Sequence, residues 1–161
     1  MPANKLLPKG LTRALASPAW VSFVWFGMTA GISLLEAPAR FSTDSLSRAA
    51  ALDLGRVVFT ALNKTELVLL IVLLIVVRLS GNARRYWIEC GALVVILIAQ
   101  SVWLLPVLSA RSLLIVSGGE PEPSIAHGAY AMLEVLKLIL LLLVGFRSLA
   151  AHPTGSSLQA R

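Results

Sequence analysis

His127, Tyr130, Glu134 and Lys137 follow a 3-4-3 spacing that sets an imidazole, a phenol, a carboxylate and an amine on one stripe of a helix. The segment that carries them is otherwise apolar. Ionisable groups inside a membrane cost roughly 2.5–3.5 kcal/mol each at a helix centre, so they face protein partners, water or a ligand. At ~1.5 Å per residue, Glu134 sits about 10 Å and Lys137 about 15 Å below His127, close to a bilayer midplane. Other apolar segments add Glu36, Glu66 and Gln100, the last two ~18 and ~20 Å from one end of their segments. Glu36, Glu66, Gln100, Tyr130, Glu134 and Lys137 therefore form a candidate ligand-binding set. Carboxylates bind a proton or a small cation, while Gln, Tyr and Lys supply the donors that hold a polar solute. The competing reading is a structural network: Lys137 can neutralise Glu134 one turn away, and Arg40 or Lys64 can pair with Glu36 or Glu66.

These residues can share one depth only if helices in lipid carry them, and composition supports that. Of 161 residues, 57% are hydrophobic and 14% charged, and the mean hydropathy is +0.83. A soluble domain carries about 25% charged residues. The net charge of +6 does not signal nucleic acid, because the basic residues flank apolar runs and no basic face is interleaved with aromatics. Cys90 is the single cysteine, which excludes an intramolecular disulfide.

Apolar runs near 18–37, 59–79, 87–108 and 127–147 predict four transmembrane helices, an all-α polytopic membrane bundle in a single domain. From Asp44 to Thr65, Asp53, Arg56, Thr60, Asn63 and Lys64 recur at helical spacing, predicting an external amphipathic helix that leads into the second span. Ser42, Thr43 or Asp44 can cap it, and Gly81 is the first clear breaker after it. The spacing does not separate a helix lying in the interface from one continuing straight into the span. Lys5, Lys9, Arg13, Arg78, Arg84, Arg85, Arg147 and Arg161 lie on one side, against Arg40, Arg48, Arg56, Lys64 and Arg111 on the other. That bias predicts an inner-membrane protein with both termini cytoplasmic and the polar set in the external half. Trp20, Tyr86, Trp87 and Trp103 are candidate interfacial anchors. The basic start and Ala37-Pro38-Ala39 resemble a signal peptide, but the apolar run exceeds the usual ~7–15 residues.

Gly27 and Gly31 form a GxxxG pattern expected to pack within the bundle. Pro106 is expected to end or kink the third span. The acidic stretch from Ser117 to Pro123 reads as a solvated external loop. His127 and His152 fall at opposite ends, so one chain does not supply a bis-histidine haem site. Cys90, Met28 and Met132 make no copper-type array, no metal site is indicated, and no soluble catalytic signature marks an enzyme.

Trp25-Phe26-Gly27, Ala37-Pro38-Ala39-Arg40-Phe41, the 46–62 helix with Gly55, Arg56 and Phe59, and His127-Gly128 resemble a family of small bacterial four-helix membrane proteins of unknown function. That family has eukaryotic transmembrane relatives and is distantly similar to copper-resistance membrane proteins. The resemblance implies fold and location and transfers no activity, cofactor or site residue. The functional expectation is a binding or transport component for a small cation, proton or polar solute, its partners being the lipid bilayer and that ligand. The alternatives are a structural or partner-binding subunit and, more weakly, a quinone- or haem-linked redox partner.

Overall fold

The computed structural model describes residues 17–151 except Asn82. Lys5, Lys9, Arg13, His152 and Arg161 lie outside the described residues. The fold is an all-α bundle of four helices, each long and apolar enough to cross a membrane. They are α1 (Pro18–Phe41), α2 (Arg48–Leu79), α3 (Trp87–Val116) and α4 (Ala126–Ala150), of 24, 32, 30 and 25 residues. All exceed the ~20 residues that span a hydrocarbon core.

The helices alternate in direction. α1 packs most extensively on α4, with Ser17 hydrogen-bonded to Ser148 and Phe23 edge-on to Phe146. α2 packs on α1 and on the second half of α3. The Gly81 end of the bundle thus holds Ser17, the α2–α3 connection and Ala150, while the Gly118 end holds the α1–α2 and α3–α4 connections. Gly81 (φ +74°) and Gly118 (φ +85°) take the left-handed conformation that ends a helix without a Cβ penalty.

The amphipathic segment and the second span are one continuous helix, α2. Its start is capped by Ser47, whose side chain accepts from the Ala50 N–H, and not by Ser42, Thr43 or Asp44. Its faces are set for lipid. Asn63 and Glu66 turn into the bundle, while Leu54, Val57, Val68 and Ile71 are exposed.

Pro106 does not end α3. A π-helical segment, Ala99–Leu104, precedes it, so the ladder there has already shifted and Leu105 N–H donates to Gln100 O. α1 repeats the device: Gly31–Glu36 is π-helical, Ala37 N–H donates to Ile32 O, and Pro38 follows. A wide turn accommodates a ring that lacks a donor and crowds the carbonyl four residues back.

Two more expectations change. Tyr86 is buried in the core and is not an interfacial anchor, whereas Trp20, Trp87 and Trp103 are exposed. Among the described residues a Cβ at Gly27 or Gly31 would meet nothing within 4 Å, so the GxxxG face makes no helix contact there. A close approach between helices is at Gly145, where a Cβ would lie 2.7 Å from the Phe23 ring.

The core divides in two. One cluster at the Gly81 end includes Val21, Trp25, Leu73, Leu93, Leu97 and Leu141. A smaller one at the Gly118 end is built on Leu104, Ala126 and Tyr130. Between them lies a layer of polar side chains.

Candidate functional site

Every helix contributes to this layer. Glu66 on α2 is fully buried, and its Oε1 accepts from Trp25 Nε1 (3.0 Å) and Thr29 Oγ1 (2.8 Å) of α1. The same oxygen pairs with Lys137 Nζ of α4 at 2.6 Å. Lys137, also fully buried, donates to Gln100 Oε1 of α3 at 3.0 Å. Its third neighbour is Glu134 Oε2, one turn back on α4, at 3.1 Å. The ammonium thus joins three helices at one point. Eleven residues separate Lys137 from Ala126 and thirteen from Ala150, about 17 and 20 Å along the axis.

A flanking pair extends the layer toward the Gly118 end. Ser101 Oγ donates to Asn63 Oδ1 at 3.0 Å, and both residues sit one turn or less from the central groups. Gln100 and Ser101 belong to the π-helical segment of α3, so the shift that accommodates Pro106 also sets which α3 side chains enter the layer.

The charges do not cancel. Two buried carboxylates, Glu66 and Glu134, face one ammonium. Glu66 Oε2, Gln100 Nε2 and Asn63 Nδ2 lack a hydrogen-bond partner among the described residues. Glu134 meets Lys137 at 3.1 Å and also interacts with the Tyr130 hydroxyl one turn away. Buried polar atoms are normally satisfied, so a layer with donors and an acceptor unmet by the described side chains is a candidate binding site.

A cavity of about 350 Å³ reaches the layer between α1 and α4, lined by Ser33, Arg40, Phe59, His127, Tyr130 and Glu134. A second, of about 200 Å³, shares Arg40, Phe59, His127 and Tyr130 and continues between α2 and α3. At the opposite end a groove of about 550 Å³ is lined by apolar side chains such as Leu74, Ile75 and Trp87, with Arg78 at its edge. None of the polar-layer residues lines it.

Of the six residues the spacing singled out, Glu66, Gln100, Glu134 and Lys137 meet directly, and Tyr130 lies one turn above Glu134. Glu36 stands apart, partly exposed and paired with Arg40 at 3.2 Å. Lys64 is exposed on the outside of α2 and does not join the layer. Trp25 enters the sequence reading only through the resemblance, because a tryptophan in a span gives no signal that its indole N–H is spent on a carboxylate. Among the described residues no three His, Cys, Asp or Glu side chains form a metal-type group. No family model, curated protein or solved structure matches the chain.

Proposed function

We propose that this chain is a membrane component that binds, and in a transport cycle moves, a proton or a small monovalent cation at the Glu66–Lys137–Glu134 layer. The observation that carries the reading is the surplus carboxylate: two buried acids share one base, the Lys137 ammonium. A second positive charge resolves that imbalance. Two carboxylates beside a fixed ammonium make a poor ligand set for a divalent ion, which takes more oxygens and more negative charge. Lys137 acts here as a resident counter-charge that holds Glu66, leaving Glu134, with the cavity at its side, as the exchanging group.

The basic-residue bias supports an inner-membrane location with both ends cytoplasmic, which places the cavities toward the external side. On that reading, the resemblance to small bacterial four-helix membrane proteins is one of architecture. A second reading, a structural subunit held by its polar layer, draws support from Glu66 Oε1, which receives two hydrogen bonds and an ammonium as a packing clamp would.

Thermal unfolding of the purified full chain in neutral detergent separates them. Sodium or potassium chloride is compared with choline chloride at constant ionic strength, and each series is repeated across pH. Binding predicts that the melting temperature depends on the metal cation or on pH, and that Glu134→Gln removes the dependence while the protein stays folded. A wild type indifferent to both supports the structural reading instead.

A further inference from the structure

Arg40 is 6% exposed, yet its Nε and Nη1 have no hydrogen-bond partner among the described residues. Its Nη2 pairs with Glu36, and its guanidinium lies 5.6 and 5.7 Å from the Phe41 and Phe59 ring centroids. Gly55 makes room for it, since a Cβ there would collide with Nη1. The packing around this arginine therefore leaves two of its N–H donors buried and unmet among the described residues.

Arg40 also lines the cavity of about 200 Å³ between the end of α1, α2 and the second half of α3. Arg40, Arg56, Arg111 and His127 line it, and among the described residues no carboxylate-bearing side chain does. Arg56 is paired with Asp53, and Arg40 with Glu36. Arg111 meets only the backbone carbonyl of Glu122 among the described residues. Two of the three guanidinium groups are thus paired with carboxylates, while Arg111 holds a backbone carbonyl of the connection that also carries Glu120 and Glu122, and Arg40 keeps unspent donors. The rest of the wall is apolar, including Leu52, Leu105 and Leu108.

We propose that this cavity is an anion site for a phosphate-type oxyanion, seated against Arg40 and closed by Arg56 and Arg111. Guanidinium groups match the several oxygens of phosphate with charge-assisted hydrogen bonds. The same chemistry is offered by the head group of an anionic phospholipid, whose chains would follow the apolar wall, and by free phosphate.

The test uses the full chain in neutral detergent, with binding followed by calorimetric titration. One arm adds potassium phosphate against potassium chloride at equal ionic strength, and the other adds phosphatidylglycerol against phosphatidylcholine in mixed micelles. Binding in the phosphate arm assigns a free oxyanion, and binding in the phosphatidylglycerol arm alone assigns a lipid head group. Arg111→Gln, a half-exposed position whose loss spares the buried packing, should weaken either by about tenfold or more. Arg84→Gln, the same charge change at the opposite end, should leave it unchanged. Gly55→Ala, which displaces the Arg40 guanidinium, should act like Arg111→Gln. No binding in either arm, or equal loss in Arg84→Gln and Arg111→Gln, overturns the assignment.

Discussion

Glu66 and Glu134 contact the same ammonium but should respond differently to neutralisation. Glu66→Gln keeps an acceptor for Trp25 and Thr29 but removes the charge from the 2.6 Å contact with Lys137 and introduces an amide NH2 beside the ammonium. Breaking one side of a buried pair costs about 3–5 kcal/mol when the remaining charge is stranded. Here Glu134 stays 3.1 Å from Lys137 and offsets part of that, so the expected loss is about 2–3 kcal/mol. Glu134→Gln weakens a 3.1 Å contact, longer than the 2.6 Å one at Glu66, and also removes the surplus charge, so its cost should stay within about 1 kcal/mol. For a chain of this length each kcal/mol moves the midpoint by roughly 2–4 °C, which separates the two variants by several degrees. Intrinsic tryptophan fluorescence during heating in neutral detergent at pH 7 measures both, and Trp25 itself reports the loss at Glu66. Equal destabilisation by the two substitutions, or a larger loss at Glu134, would refute the claim that the layer carries one carboxylate too many.

The packing makes further predictions. Gly145→Val drives a side chain into the Phe23 ring, already 2.7 Å from a Cβ at that position, and should cost about 1–3 kcal/mol as overpacking, read as a lower melting temperature. Pro106→Ala should change stability by less than about 1 kcal/mol, because the π-helical segment before it already relieves the ~3 kcal/mol that an interior proline imposes. A gain near the full value by the same measurement would mean that the ring is still strained. Cysteine labelling on a Cys90→Ser background tests orientation, with single thiols introduced in the α3–α4 connection and in the α2–α3 connection. Glu120→Cys should react with an impermeant maleimide in intact cells and Arg84→Cys should not, and the reverse pattern would invert the topology.

What the sequence makes legible follows from where its signals are physical. Helix existence rests on long apolar runs, and all four are present. Within one helix the 3.6-residue period fixes faces, which is why Tyr130, Glu134 and Lys137 turn inward together. Depth arithmetic puts Glu66 and Gln100 near Lys137, and the observed contacts of 2.6 and 3.0 Å match that level. Facing is harder to read. In lipid an apolar side chain is content on either side, so leucines do not say which face is inside, and small residues do not say which neighbour they admit. Gly27 and Gly31 look like a packing seam and meet nothing among the described residues, whereas the isolated Gly55 and Gly145 are positions where side chains crowd in. Lys64 and Glu66 are two residues apart and point to opposite surroundings, one exposed and one fully buried.

The two π-helical segments connect backbone to site in a way that neither proline announces. Each adds a wide turn immediately before a proline, at Gly31–Glu36 before Pro38 and at Ala99–Leu104 before Pro106. The wide turn changes the angular position of everything beyond it relative to a regular helix. In α3 the segment itself holds Gln100 and Ser101, the two α3 side chains that enter the polar layer. In α1 the shift falls between Thr29, which serves Glu66, and Arg40, which packs over Gly55. One helix therefore supplies a donor to the carboxylate layer and, past the wide turn, a guanidinium to the anion cavity. The cavities meet along Arg40, Phe59, His127 and Tyr130. An anion on Arg40 and a cation or proton at Glu134 would share that wall, and their charges would favour joint occupancy.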